Sequence, residues 1–264
     1  MKKAISLILT VLCLLQLAAC RRVPNTDDIY AVVPQTTSGP TLKNVTAEID
    51  DFDESIFNRN IKIYKARSSF FDDISLQSRV RSHSSENYEL ESHYDDFLVF
   101  NCSVPLSDIT VMHKDGALDK SEQAAKDLKA LPDEYKRMDS SRSYNAEFKQ
   151  VIDGYTVYGM AYTSIKTSLD DKYVMKITKH WSKPRYASTV KTVSFEEALA
   201  RLERNYGFVD GDYYVTLEKT VVKAVELVYY KGYEGDFFIP CYRFTGVGYY
   251  KDITYDFTAY AFAI

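Results

Sequence analysis

The stretch FFIPCYRFTGVGYYKDITYDFTAYAF, residues 237–262, decides the fold. It holds two runs rich in aromatic and β-branched residues, Phe237–Thr245 and Ile253–Phe262, and such residues favour strands. In the second run apolar side chains recur at every second position, which predicts a strand with one buried face. The residues expected on that face are Ile253, Tyr255, Phe257, Ala259 and Ala261. We expect the turn between the two strands at Gly246 and Gly248.

A helix is predicted ahead of these strands. Ser194 and Glu197 form a capping box: the Ser194 hydroxyl is expected to accept from the amide of Glu197, whose carboxylate reaches back. Gly207 is the expected left-handed C-cap. A short strand near Tyr213–Leu217 and a longer one at Val222–Tyr230 then lead into the decisive stretch.

The same order of elements occurs once before. A helix is predicted from Asp119 or Ser121 to about Arg137, and three strands follow it. These strands are Tyr144–Val151, Tyr155–Thr167 and Lys172–Trp181, with turns at Asp153-Gly154 and Leu169–Asp171. The predicted fold class is therefore α+β, with antiparallel sheets and packed helices in two related helix-plus-three-strand lobes, 119–190 and 191–264. Chance recurrence of so simple a pattern is the alternative.

The N-terminal part of the chain is less regular. Residues 20–49 are poor in large apolar side chains and contain three prolines, which is typical of a tether. Residues 50–118 form a poorly defined region in which we expect short strands near 61–65 and 97–104. The polar segment 77–96 is expected to be a loop.

The first twenty residues resemble the leader of a bacterial lipoprotein. Lys2 and Lys3 precede an uncharged run, residues 4–19, that is too short to span a membrane, which needs roughly 20 apolar residues. The tetrapeptide Leu17-Ala18-Ala19-Cys20 resembles a lipobox. The resemblance implies cleavage after Ala19, a diacylglyceryl thioether on Cys20, and anchoring to the outer face of the cytoplasmic membrane. An uncleaved helix and a plain secretory signal are the alternatives.

Charge and cysteine content narrow the function further. The chain has 33 basic and 37 acidic residues, and loss of Lys2 and Lys3 with residues 1–19 changes its formal charge from −4 to −6. This balance argues against a nucleic-acid partner. Cys102 and Cys241 remain after Cys20 is lipidated, either as a disulfide or, as we favour, as two buried thiols. No motif implies a cofactor or a metal ion.

The C-terminal part resembles a group of extracytoplasmic regulatory proteins, the PepSY-like and YycI/YycH-like proteins. The segments that carry the resemblance are VSFEEALARL at 193–202, AVELVYY at 224–230, FFIPCYRFTG at 237–246 and YDFTAYAFAI at 255–264. The resemblance implies a capped helix before an antiparallel sheet. It also implies control of a sensor histidine kinase or a protease. Members of the YycI/YycH kind are held by a membrane-spanning helix, which a lipid on Cys20 replaces here.

Individual chemical groups give weaker indications. His83, His93, His113 and His180 show no metal-ligand spacing, and His83 and His93 are more simply explained by a solvated polar loop. The adjacent acids Asp95-Asp96 and Asp170-Asp171 are typical of hydrated turns. Either an aromatic platform for a ligand or ordinary sheet packing explains the C-terminal tyrosines, and we favour packing. They are Tyr213, Tyr214, Tyr229, Tyr230, Tyr233, Tyr249 and Tyr250.

The sequence therefore predicts a non-enzymatic lipoprotein that binds or regulates another envelope protein, either a sensor kinase or a protease. Pro240 within a strand indicates a sheet edge or bulge, and hence an exposed edge near Phe237–Phe244 where a partner strand could add. The alternative is a module that binds wall glycan or a small ligand through exposed tyrosines. An enzyme would need clustered acids or histidines in a pocket.

The lipid anchor gives the first test. Replacement Cys20→Ser removes the sulfur atom that is alkylated, so we expect metabolic labelling with a palmitate analogue to disappear. Cys13→Ser is the control, because Cys13 leaves with residues 1–19 and labelling should persist. Continued labelling of the Cys20→Ser protein would disprove the anchor.

Overall fold

The computed structural model describes residues 41–68, 70–84, 88–94, 97–109, 117–138, 145–170, 172–204, 207–210, 215–232 and 235–264. Its helices are α1 (Phe70–His83), α2 (Leu106–Ile109), α3 (Ala117–Asp127) and α4 (Phe195–Glu203), with a 3-10 turn at Glu54–Ile56. The strands that precede α3 are β1 (Thr41–Leu42), β2 (Val45–Ala47), β3 (Asn60–Arg67), β4 (Tyr88–Tyr94) and β5 (Phe97–Pro105). Those between α3 and α4 are β6 (Tyr135–Met138), β7 (Asn145–Ile152), β8 (Tyr155–Gly159), β9 (Tyr162–Thr167), β10 (Tyr173–His180) and β11 (Lys183–Lys191). The C-terminal strands are β12 (Gly207–Asp210), β13 (Thr216–Leu217), β14 (Lys219–Lys231), β15 (Phe237–Tyr250) and β16 (Ile253–Phe262).

Fourteen of these strands form one mixed sheet. Its main path is β11-β3-β15-β14-β8-β7-β9-β10-β5-β4, to which β16, β12, β2 and β6 add. Most neighbours are antiparallel, as expected, but β2 and β8 each run parallel to β14. The architecture is thus α+β and rich in sheet. The division into two lobes stays a prediction.

The hydrophobic residues collect in separate cores along this sheet. One core lies wholly between Leu76 and Ile177, where α1 and α3 cover the sheet. A second core surrounds Tyr242 and includes Leu202 of α4, and a third lies around Tyr260. Residues 50–118, which were expected to be poorly defined, contribute to the first core and to the C-terminal part of the sheet. Strand β5 pairs with β10 in the first core, and β3 pairs with β15.

Strand β16 begins and ends where the alternation predicted. Ile253, expected on the buried face, is 53% exposed, and the last four residues of the strand are buried on both faces. Tyr260, expected to point toward solvent, packs against Phe208 and Tyr230 at centroid distances of 4.8 and 5.2 Å. The prediction of one buried face was therefore wrong for the end of the strand, because β12 and β14 bring aromatic rings to its second face.

Strand β15 is longer and more central than predicted. It continues through Gly246 and Gly248 to Tyr250, so the turn lies at Lys251-Asp252. At Gly246 a Cβ atom would come within 2.1 Å of the Val221 carbonyl oxygen, which explains a glycine inside the strand. The exposed edge expected at Pro240 is absent from the described structure, because β14 pairs with one side of β15 and β3 and β16 pair with the other.

The helix expected from 119 or 121 to about 137 ends at Asp127. Lys129 takes a φ of 56°, and the amide of Ala130 donates to the Ala125 carbonyl at 2.8 Å. This is a Schellman ending with a lysine in the left-handed position. Pro132 then prevents the helix from resuming, and Tyr135–Met138 pairs with β7 instead.

Three other local predictions need correction. The loop expected at 77–96 contains the second half of α1 and all of β4. Among the α1 side chains that the structure describes, only Leu76 and Val80 are buried, so the pattern of this helix was weak. Ser194 caps α4 as predicted, but the Glu197 carboxylate accepts from Arg201 Nε at 3.0 Å. Gly207 begins β12 and is not the C-cap, which is Arg204.

The strand predicted at Tyr155–Thr167 is divided into β8 and β9 by Gly159, which has a φ of 77°. Within β8, Tyr155 and Thr156 pair with β7, and Val157–Gly159 pair with Tyr229–Lys231 of β14. The amide of Met160 donates to the Lys231 carbonyl at 2.8 Å. A Cβ atom on Gly159 would come within 2.2 Å of that same oxygen.

Gly159→Ala should therefore destabilise the protein by about 3 kcal/mol, since it combines a left-handed backbone with a backbone clash. Gly154→Ala is the matched control. Gly154 also has a positive φ, 82°, but no atom lies within 4 Å of its Cβ position, so a loss of only about 1 kcal/mol is expected. Urea unfolding measures both, and equal losses would contradict the close approach of β8 to β14.

Candidate functional site

A cleft opens where the first core meets the C-terminal strands. Tyr64 and Ile152 belong to the core around Tyr242, whereas the segment 132–134 follows α3 of the first core. Sites for ligands are frequent at such junctions. The residues that line the cleft are Tyr64, Pro132, Asp133, Glu134, Gln150, Val151, Ile152, Asp153, Trp181, Lys183 and Pro184.

One wall of the cleft carries a hydrogen-bonded carboxylate. Asp153 occupies the β7–β8 turn with a φ of 50°, and the Tyr64 hydroxyl donates to its Oδ2 at 2.5 Å. Lys62 Nζ lies 3.1 Å from the same oxygen. The Tyr64 hydrogen bond and then Lys62 hold the pKa of Asp153 below its usual value. Asp153 therefore acts as an ionised acceptor at neutral pH rather than as a proton donor.

The floor of the cleft is rigid. Gln150 is only 3% exposed, and its Nε2 donates to the Ser182 carbonyl at 2.9 Å. This acceptor fixes the orientation of the amide. Among the described residues, Gln150 Oε1 and the Ser182 hydroxyl are buried without a hydrogen-bond partner. Trp181 is held by a hydrogen bond from its Nε1 to the Ala130 carbonyl at 3.0 Å.

A buried ion pair lies behind Trp181. The Lys179 side chain is 0% exposed, and its ammonium pairs with Asp73 of α1, which is 12% exposed. Lys179 Nζ also lies 4.1 Å from the centroid of the Trp181 ring. The pair joins α1 to β10. Because an unpaired charge at this depth would be strongly unfavourable, the pair holds the Lys179 ammonium against the Trp181 ring that lines the cleft.

The histidines do not form a site in the described part of the chain, where no three metal-ligating side chains cluster. His83 ends α1, with its Nδ1 2.8 Å from the Arg79 carbonyl oxygen. His180 is buried at the end of β10 and packs on Phe97 at 4.8 Å. His113 and the side chain of His93 lie outside the described residues.

Asp170 and the two cysteines follow the simpler interpretations. Asp170 is exposed in a turn, where it accepts from Ser168 and pairs with Lys172 at 3.1 Å. Asp95, Asp96 and Asp171 are not described. Cys102 and Cys241 are free and buried, as favoured. Burial raises the pKa of Cys102 to about 12 and raises that of Cys241 further, so neither thiol is activated.

The aromatic platform is not found among the tyrosines that the structure describes. Tyr229 is 0% exposed and Tyr230 is 9% exposed, so both belong to the core. Tyr249 and Tyr250 lie instead at the tip of the β15–β16 hairpin. Tyr213, Tyr214 and Tyr233 fall outside the described residues.

Sequence reasoning missed the cleft, because its walls come from β3, β7, β11 and the segment after α3. The Asp153-Gly154 turn was predicted correctly, but nothing local connects it with Tyr64, 89 positions away. Trp181 is the chain's single tryptophan, and this was the one available indication of a special position.

No family model and no curated protein sequence matches this chain. Two solved structures are distantly similar. YycH from Bacillus subtilis is 12% identical with a TM-score of 0.41, and the match covers 75% of this chain and 52% of YycH. The chain thus spans about half the length of YycH. An uncharacterized protein from Eubacterium rectale is 9% identical with a TM-score of 0.36, with 89% of this chain and 94% of that one covered.

YycH belongs to the group of proteins that the C-terminal segments resemble. Both TM-scores lie below 0.5, and neither likeness identifies the function of this chain. The PepSY-like part of the resemblance stays a prediction. So do the lipobox residues, which lie outside the described ranges. None of the helices within those ranges has the length and apolar content needed to span a bilayer.

The buried pair behind the cleft can be tested by charge removal. Asp73→Asn removes the carboxylate that pairs with the buried Lys179 ammonium and should destabilise the protein by about 3 kcal/mol. Asp72→Asn is the control: Asp72 pairs with the half-exposed Lys183 at 2.8 Å, so its loss should cost less than about 1 kcal/mol. Trp181 fluorescence during urea unfolding gives the free energy of unfolding of each variant. Similar losses for the two variants would refute the buried pair.

Proposed function

We propose that the protein is an extracytoplasmic lipoprotein, anchored through Cys20, that binds another envelope protein in the cleft between its cores and has no catalytic activity of its own. The observation that carries this proposal is the cleft itself, with its rigid floor of Gln150 and Trp181. The leader sequence supports the location.

The chemistry of the cleft supports binding rather than catalysis. Its central carboxylate, Asp153, is held ionised by Tyr64 and Lys62, and Lys183 is paired with Asp72. Groups paired in this way are poor proton-transfer agents at neutral pH, because their pKa values move away from 7. They are well suited to orient polar groups of a partner.

The walls favour a protein partner over a glycan. Pro132 and Pro184 give the cleft stiff backbone edges, and Asp133 and Glu134 are exposed at its rim. A glycan site needs aromatic faces open to solvent, but Tyr64 is only 8% exposed and Trp181 only 4%. Tyr229 and Tyr230 are also buried, so neither offers a face to a glycan.

We further propose that the partner is a membrane sensor or a protease, and that the protein regulates it. The resemblance of the C-terminal segments motivates this choice. A lipid on Cys20 cannot pack against a partner helix inside the bilayer. Contact with a sensor would therefore be made by the folded body, and the cleft is the surface that we assign to it.

Site-specific photocrosslinking tests the proposal. A benzoyl-phenylalanine introduced at Glu134, on the rim of the cleft, should give a crosslink to one envelope protein in intact cells. The control position is Lys251, exposed in the turn of the β15–β16 hairpin. We expect no such product from position 251. Identical products from both positions, or none from position 134, would contradict binding in the cleft.

A further inference from the structure

Four cations face one another on two neighbouring strands. In the register of β3 and β11, Arg67 lies directly opposite Lys183, and Lys65 lies directly opposite Arg185. Positions two apart on a strand share a face, so all four residues stand on one side of this ribbon. We call Lys65, Arg67, Lys183 and Arg185 the cationic ribbon.

Like charges directly opposite each other destabilise a sheet. Two of the four have acidic partners: Lys65 lies 3.4 Å from Asp236, and Lys183 lies 2.8 Å from Asp72. Arg67 and Arg185 are exposed, and no acidic side chain of the described residues lies within 4 Å of either. Within the part of the chain that the structure describes, these two guanidinium groups therefore have no acidic partner, although the overall charge of the protein is negative.

Protection of a sheet edge explains only part of this arrangement. β11 is an edge strand, and its Lys183, Pro184 and Arg185 are residues that discourage edge-to-edge pairing. β3 also pairs with β15 at Tyr64 and Lys65, although not at Arg67. Edge protection therefore does not account for Lys65.

The position of the ribbon indicates what it meets. Lys183 of the ribbon also lines the cleft, so the ribbon adjoins the cleft at this residue.

We propose that the cationic ribbon binds an acidic segment of the protein whose neighbouring residues occupy the cleft. This inference rests on the proposed function and adds the chemistry of the partner. Arginine guanidinium groups bind carboxylates through two parallel hydrogen bonds, so Arg67 and Arg185 are the primary contacts. The ribbon adjoins the cleft that we assign to a protein partner, so a segment of that partner is the occupant that this position favours.

A direct test uses an acidic peptide as the probe. The full-length lipidated protein, held in nanodiscs of neutral phosphatidylcholine, is titrated into a fluorescein-labelled peptide of alternating Glu and Gly. We expect binding that weakens as salt is added, and a loss of roughly tenfold in affinity for the Arg67→Gln/Arg185→Gln variant.

The matched control is Lys166→Gln/Lys176→Gln. These two exposed lysines also lie directly opposite each other, on β9 and β10, and they carry the same total charge. Their removal should leave the affinity nearly unchanged. Equal losses in the two variants, or no loss in the arginine variant, would overturn the proposal. So would ribbon-dependent binding of polyphosphate or of phosphatidylglycerol vesicles without binding of the peptide.

The crosslink from position 134 separates this inference from the proposed function. In the Arg67→Glu/Arg185→Glu background we expect that crosslink to disappear, while Lys166→Glu/Lys176→Glu retains it. A crosslink that survives charge reversal at Arg67 and Arg185 would overturn the proposed role of the ribbon and leave the proposed role of the cleft intact. Absence of a crosslink in the unmodified protein would overturn the cleft as well.

Discussion

The parallel pairing of β8 with β14 is the constraint on which the rest of the structure depends. Val157, Tyr158 and Gly159 leave β7 at this point and align with Tyr229–Lys231. Through this pairing the sheet is continuous from β11 to β4, and the first core is joined to the two C-terminal cores. A glycine is required at position 159 because the Lys231 carbonyl occupies the space of a side chain.

The cleft follows from that constraint. Since β7 and β8 are joined by the Asp153-Gly154 turn, fixing β8 on β14 also brings Asp153 to Tyr64 on β3. The opposite wall is fixed independently by Trp181, behind which Lys179 and Asp73 form a buried pair. Both walls are therefore preorganised, and this lowers the entropic cost of binding a partner. The cationic ribbon adjoins this surface. A partner could therefore be recognised by the shape of the cleft and by the charge of the ribbon together.

Local chemistry made part of this fold predictable. Alternation located β16, and the Ser194 hydroxyl caps α4 as its sequence indicated. The errors arose where a distant segment decides the outcome. Pro240 was taken for an edge residue, but it tolerates a central strand because it lies where β15 changes partner from β3 to β16. Tyr260 was placed in solvent because nothing in its own strand reveals Phe208. The cleft combines four separate segments, and no local pattern could have assembled it.

The functional account needs the two cores to behave as one body around the cleft. Hydrogen exchange of the full-length protein, followed by mass spectrometry, tests this most directly at the β8–β14 junction. The amide of Met160, which donates to the Lys231 carbonyl, and the amides of Val157–Gly159 should be protected as strongly as those of β15. Exchange of these amides at the rate of an exposed loop, while β15 stays protected, would contradict the account.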